Sequence, residues 1–344
     1  MLSGAGVSLL VRVGEATNHT FVLPLLVFFP TSRCNSRCVS CDWWRSSGAG
    51  DLTLDEIDGV AGALPALGTR VVVFSGGEPL LRPEVFEAAR LFRDRGVSLH
   101  LLTSGILLER SAEEVARHFS RVVISLDGAT ESVYRAVRGV AALTVVERGV
   151  AALRRIAPDL AITARATIHR LNYPAMPALI DHARAMGLDG ISFLPADLSS
   201  KAFARDAGSD VEQLRLDIDQ VADLHEVVER TIRTHGEDLA SGFVAESAEK
   251  LRRLPQYYLA LLGRAAFPRV DCNAPWSSVV IEADGSVRPC FFHQRIGNVR
   301  AAPLALIVSE ALASFRRTLD VPTNPVCTRC VCALKTGWRG APWQ

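Results

Sequence analysis

Residues 71–103 read VVVFSGGEPLLRPEVFEAARLFRDRGVSLHLLT. Val71–Ser75 is a continuous β-branched and aromatic run closed by Gly76-Gly77, which predicts a strand buried on both faces. From about Pro83 to Arg95 the apolar residues recur at helical spacing, and Val97–Leu102 predicts the next strand. Strand, helix, strand joined by short loops is a βαβ unit, whose two strands lie parallel.

The same alternation extends in both directions. Leu23–Phe29, in the apolar run Phe21–Pro30, predicts a strand before it. Thr53–Leu64 predicts a helix, with Thr53 and Glu56 at capping-box spacing. Further helices are expected near Ser111–His118, over Leu143–Ile156 and near Pro174–Met186. Further strands are expected at Arg121–Leu126, Leu160–Ile168 and Gly190–Leu194. Six parallel strands with covering helices make an α/β core over residues 1–198, and in a curled sheet of this kind chemistry gathers at the C-terminal strand ends. Residues 199–270 read as a linker and helical region, with a polar stretch at Ser199–Ser209 and a long amphipathic helix over Val211–Thr234. Residues 271–344 read as a small C-terminal domain, in which Asp284-Gly285 between apolar runs predicts a β-hairpin.

Composition excludes several functions. The 344 residues carry 38 Lys and Arg against 37 Asp and Glu, so no basic field exists to hold nucleic acid. All cations but Lys201, Lys250 and Lys335 are arginines, which fits either codon preference or a preference for anionic ligands. Mean hydropathy is +0.19, but Phe21–Pro30 is too short to cross a bilayer and has no signal-peptide flanks. The expected location is a reducing cytoplasm, where clustered cysteines bind metal more often than they pair as disulfides.

Eight cysteines fall in two groups: Cys34, Cys38 and Cys41, then Cys272, Cys290, Cys327, Cys330 and Cys332. The 230 residues between the groups hold none, which predicts two separate metal centres. Three thiolates spaced CxxxCxxC can hold three irons of a cubane cluster and leave the fourth open to a ligand. A zinc site with a distant fourth ligand is the simpler alternative for each group. At the end of the second strand, Gly76-Gly77 permits close backbone approach and Glu78 offers a carboxylate to a ligand ammonium.

The CxxxCxxC loop after a first strand, followed one βα unit later by Ser75-Gly76-Gly77-Glu78-Pro79, resembles the signature of the radical S-adenosylmethionine (SAM) superfamily. The resemblance implies a partial (β/α)6 TIM-like barrel, with a [4Fe–4S] cluster on Cys34, Cys38 and Cys41 and SAM bound at Gly76, Gly77 and Glu78. Thr103-Ser104-Gly105 and Ser125-Leu126-Asp127-Gly128 are similar to family segments, which implies that Ser104 and Ser125 line the SAM site. Arg138 resembles an arginine that pairs with the SAM carboxylate, and Asp127 reads as a cap for the segment after it. The family often has an aromatic residue where Ser40 stands, and Trp43 or Trp44 is near enough in sequence to replace it. Cys272 and Cys290 flanking Gly285 are similar to the opening of the SPASM and Twitch auxiliary-cluster domains. That implies one auxiliary [4Fe–4S] cluster on Cys272, Cys290, Cys327 and Cys330, with Cys332 as an alternative ligand.

Two function classes follow. One is an enzyme that cleaves SAM reductively to a 5′-deoxyadenosyl radical and takes a hydrogen atom from a small-molecule substrate in natural-product, cofactor or lipid biosynthesis, its electrons coming from a donor such as flavodoxin or ferredoxin. A peptide maturase is its variant; only 33 residues precede Cys34, so it would need a separate leader-recognition protein. The other class is a non-catalytic iron–sulfur protein, against which the open iron and the Gly76-Gly77-Glu78 loop argue.

Overall fold

Residues 4–205 and 211–336 are described in a computed structural model of the chain. Ahead of the C-terminal cysteines the α-helices among the described residues are α1 (Gly4–Thr17), α2 (Leu54–Leu67), α3 (Val85–Arg93), α4 (Leu108–His118), α5 (Glu131–Arg138), α6 (Leu143–Ile156), α7 (Met176–Ala185), α8 (Ile218–Thr234), α9 (Gly236–Ala240) and α10 (Ala248–Leu261), and three short ones follow, Ala274–Ser277, Leu304–Leu306 and Ala313–Thr318. The strands are β1 (Leu25–Thr31), β2 (Val71–Gly76), β3 (Ser98–Thr103), β4 (Arg121–Ser125), β5 (Ala161–Ile168), β6 (Gly190–Pro195), β7 (Ser278–Ile281), β8 (Ser286–Arg288) and β9 (Gly297–Asn298). They form one open sheet in the order β6-β5-β4-β3-β2-β1-β7-β8-β9. The six expected parallel strands lie in sequence order, as right-handed βα crossovers dictate.

The expected hairpin forms as β7 and β8, antiparallel with Ile281 opposite Val287. Its first strand also pairs in parallel with β1, Leu25 opposite Ser278 and Phe28 opposite Ile281. This ties the late cysteine segment to the strand that feeds the early one. The burial of every residue of β1 follows, since it has a strand on each side.

Side-chain alternation divides the sheet. Val72, Phe74, Leu99, Leu101, Val122, Ile124, Ile162 and Ala164 are buried beneath the helices. There Phe28, Phe74, Phe92 and Phe119 meet edge to face or tilted, with centroids 5.1–5.6 Å apart. Truncating one of these rings to alanine costs about 3–5 kcal/mol. The opposite face is apolar at Leu25, Val27, Phe29 and Val73 and half-buried at Ser125, Arg165 and Ser192. It is the concave face of the unclosed barrel.

Helix ends largely obey local chemistry. Thr53 and Glu56 complete the capping box at α2. The long amphipathic helix begins at Ile218 rather than Val211, because Asp217 and Gln220 form their own capping box. Between that helix and Cys272 lie α9 and α10, with Ser247 capping α10. Helices α1 and α5 were not anticipated. Part of the Ser199–Ser209 linker, residues 206–209, lies outside the described residues. Among those described, no helix is long and apolar enough to cross a membrane.

Candidate active site

Cys34, Cys38 and Cys41 lie in the loop that leaves β1. Backbone hydrogen bonds lay this loop across the end of α5: Arg37 N–H donates to the Arg138 carbonyl at 2.9 Å and Val39 N–H to the Val137 carbonyl at 3.0 Å. A helix's last carbonyls have no partner within the helix, so they are free to receive the loop. Gly139 closes α5 at φ +69°, and a Cβ there would fall 2.3 Å from the Arg37 carbonyl oxygen.

The loop after β2 approaches from the other side. A Cβ on Gly77 would stand 2.0 Å from the Arg33 carbonyl oxygen. Gly77 N–H donates to Thr31 O at 3.2 Å and Glu78 N–H to Arg33 O at 2.7 Å. Glu78 itself is buried. Its Oε1 accepts from the Thr103 hydroxyl at 2.8 Å and Leu80 N–H at 3.1 Å, and its Oε2 from Ser104 N–H at 2.6 Å. Three protein donors thus hold the carboxylate that the sequence reading assigned to a ligand ammonium, and Glu78 joins the β2 loop to the end of β3. Ser104 Oγ donates to Asn35 Oδ1 at 3.1 Å, which joins the same strand end to the cysteine loop.

Arg138 points back from α5 to Asp127, Nη1 to Oδ2 at 3.2 Å, and both are nearly buried. Asp127 Oδ1 accepts from Thr167 N–H at 2.7 Å, and its carbonyl accepts from Asn172 Nδ2 at 3.0 Å. The expectation that Asp127 caps the following segment is corrected: Thr130 caps α5 by accepting from Val133 N–H. Asp127 instead ties the end of β4 to β5 and holds Arg138. Ser125 ends β4, half-buried on the concave face. Trp43 packs edge-on against Phe29 at 5.7 Å, and Phe29 stacks on Phe291 at 6.2 Å.

Burial pushes the Cys34 thiol up to about 11, and the neighbouring Cys38 and Glu78 add to the rise. Cys38 and Cys41 are raised as well, first by burial; Arg138 pulls all three the other way. Burial opposes the Arg138 charge, but Cys38 and Asp127 beside it keep the guanidinium protonated. Thiolates desolvated this far require compensating positive charge, which the irons of a cluster carry. Asn35 Nδ2, Ser36 Oγ and Arg138 Nε are buried here without a hydrogen-bond partner. Among the described residues no three His, Cys, Asp or Glu side chains converge on a single-ion site. In a cubane each thiolate binds its own iron, so the donor set fits a cluster.

The five late cysteines also come together. Asn273 holds the C-terminal segment beside Cys272: its N–H donates to Leu334 O at 2.7 Å, and its Oδ1 accepts from Thr336 N–H at 2.8 Å. Burial raises the thiols of Cys272, Cys290, Cys327 and Cys330. Cys332 is near enough to Cys272, Cys290 and Cys330 to add to their rise, and Cys290 and Cys272 do the same for Cys327. His293 Nε2 lies 3.3 Å from Cys327 Sγ. The arrangement brings all five thiols together without separating Cys330 from Cys332. A cavity of about 580 Å³ runs from these cysteines to the concave face, where Leu25, Val27, Arg165, Ser192 and Glu246 line it.

Sequence reasoning missed Asn35, Arg165, Asn273 and Glu246. Arg165 sits at an alternating position of an expected strand and is legible once the concave face is known. Glu246 carries no local signal at all.

The sequence profile described as the radical SAM superfamily matches residues 28–183, and that of an iron–sulfur cluster-binding domain, SPASM, matches residues 272–331. The chain is 32% identical over 168 residues to an AdoMet-dependent heme synthase of Methanosarcina barkeri, an alignment covering 47% of this chain and only 48% of that protein. It is 29% identical to an Fe-coproporphyrin III synthase of the same organism, over 89% of this chain and 80% of the relative. A PqqA peptide cyclase of Rhodopseudomonas palustris is also 29% identical, over 79% of this chain and 68% of that one. Among solved structures, Streptococcus suis SuiB bound to S-adenosylmethionine superposes with a TM-score of 0.65 at 15% identity, over 95% of this chain and 76% of SuiB.

Proposed function

The chain belongs to the radical SAM superfamily and carries a C-terminal SPASM iron–sulfur domain, and from that we propose an enzyme that cleaves SAM reductively and abstracts a hydrogen atom from a small-molecule substrate. The observation that carries this reading is the packing of the three-cysteine loop between the Gly76-Gly77 turn and the end of α5. Cys34, Cys38 and Cys41 would hold the first [4Fe–4S] cluster. Cys272, Cys290, Cys327 and Cys330 would hold the auxiliary one, with Cys332 as the alternative to Cys330. When bound, the first cluster and SAM supply an electron and a carbon radical able to take hydrogen from an unactivated position.

The chain's own residues bind, orient and exclude water. Gly76 and Gly77 let the backbone approach the ligand, and Glu78 keeps their loop against β3. Ser104 and Ser125 line the SAM site from the ends of β3 and β4. Arg138, buried and paired with Asp127, would offer its charge to the SAM carboxylate. The 580 Å³ cavity seats the substrate between the concave face and the auxiliary cysteines, a size suited to a small molecule. That placement lets the auxiliary centre accept an electron from the substrate, and a flavodoxin or ferredoxin would supply the first cluster. The PqqA peptide cyclase among the relatives supports a second reading, a peptide maturase that admits one side chain to the same cavity.

Anaerobic reconstitution should load about eight irons per chain if both centres are cubanes. With a chemical reductant the protein should convert SAM to 5′-deoxyadenosine. Replacing Cys34, Cys38 and Cys41 together with alanine should abolish that conversion and leave about four irons. Conversion that survives the triple substitution refutes the reading.

A further inference from the structure

The cavity holds a polar row, Arg165, Ser192 and Glu246, that the proposed SAM chemistry does not use. In the sheet register Ser125 lies opposite Arg165, and Arg165 opposite Ser192. The row continues past the edge of the sheet. Val244 bridges Ile191 in parallel, with Ile191 N–H donating to Phe243 O at 2.7 Å and Ala245 N–H to Ile191 O at 2.9 Å. One step further the ladder changes partner: Phe193 N–H donates to the Glu246 side chain, at Oε2, at 2.9 Å. A carboxylate thereby takes the place of a backbone acceptor, and Glu246 is fixed at the level of Ser192, inside the cavity.

We propose that Glu246 and Arg165 anchor the substrate, reading a group in which a hydroxyl or amine donor stands beside an acid, as in a hydroxy acid or an amino acid. The assignment rests on the radical SAM reading for the position of the reacting centre, but not for the binding itself. Glu246 is an acceptor for the donor, and Arg165, on the neighbouring strand, is a cation suited to a carboxylate. Arg165 Nε also donates to Ser192 Oγ at 3.2 Å, which orients the guanidinium along the row. Burial holds the Glu246 carboxyl up at about 7, while Phe193 N–H, Arg165 on β5 and Lys250 on α10 pull it down. Ser125, proposed above for the SAM site, is the register neighbour of Arg165, so a substrate held on the row lies beside that site.

Glycolate, which carries donor and acid, and acetate, which lacks the donor, separate the two contacts. Dissociation constants for both would be measured by saturation-transfer NMR on the reconstituted full chain with SAM and no reductant, at pH 8. Glycolate should bind about tenfold tighter than acetate, as expected for one hydrogen bond to a charged acceptor. Glu246→Gln keeps an acceptor for Phe193 N–H and should fold; with a neutral bond about half as strong, the preference should fall to about threefold. Glu246→Ala should erase it. Equal binding of the two acids to the unaltered chain, binding of neither, or a tenfold preference that survives Glu246→Ala overturns the proposal. Formation of 5′-deoxyadenosine by the same preparation once a chemical reductant is added, measured separately, tests the radical reading. Its absence would refute that reading while the glycolate comparison still decides this one.

Discussion

Gly77→Ala probes the contact on which the site depends. The new methyl would stand 2.0 Å from the Arg33 carbonyl oxygen, 2.6 Å from its carbon and 2.9 Å from the carbon of Ser32, all backbone atoms that cannot rotate away. Ordinary contact begins near 3.4 Å, so the two loops must part by over 1 Å. The hydrogen bonds from Gly77 N–H to Thr31 and from Glu78 N–H to Arg33 are lost with that movement. Overpacking costs about 1–3 kcal/mol and each bond about 0.5–1.5, together roughly 2–6 kcal/mol. At about 2 °C per kcal/mol for a chain this long, the melting temperature of the apoprotein should fall by roughly 4–12 °C. Iron loading of the first centre should fall with it. Gly62→Ala is the control: it lies on the exposed face of α2 with nothing within 4 Å of its Cβ, and should stabilise by about 0.5–1 kcal/mol. If Gly77→Ala melts with the unaltered chain and loads iron normally, the close packing of the two loops is refuted.

Arg138→Ala should destabilise by about 3–5 kcal/mol in chemical denaturation, because it leaves the buried Asp127 carboxylate without its cation; a loss under 1 kcal/mol would show that the pair is not formed. Glu56, on the surface, has its carboxyl held at about 2, chiefly by its hydrogen bonds from Arg300 and Thr53. A depressed carboxylate contributes stability that is present above its unfolded value near 4.5 and lost as pH falls toward 2. Arg300→Ala should therefore raise the Glu56 pKa toward the ordinary range, read by carbon NMR, and flatten the acid limb between those values. Glu246 has the opposite sign: its raised carboxyl means the folded state holds the extra proton, so stability declines as pH rises from about 4.5 to 7. Glu246→Gln should remove that decline, and an unchanged pH profile would place the Glu246 titration elsewhere.

Much of the site was legible because its signals are local. A strand is announced by a β-branched run, a capping box by residues three apart, and a cluster loop by CxxxCxxC. Cys34, Gly76 and Gly77 lie within about five residues of an expected strand end, and Cys38 and Cys41 follow in the same loop, so placing the strands places them. Less is legible where partners are distant. The protein donors to the Glu78 carboxylate, from Thr103 and Ser104, come from the next βα unit and leave no local mark in the sequence. Helix α5 is only eight residues long, and it forms because Thr130 caps it and its last carbonyls receive the cysteine loop.

By itself the sequence determined the parallel α/β sheet, the two cysteine centres and the family motifs, since each is written in residue type at fixed short spacing. Tertiary structure alone decided that β7 joins β1, that five late thiols meet against the open barrel, and that Glu246 enters the cavity beside Ser192. The physical reason is the range of the interactions. Propensity, capping and apolar periodicity act within a few residues of one another. Edge pairing and burial instead bring together groups 50 to 250 residues apart, and no local pattern specifies which two will meet.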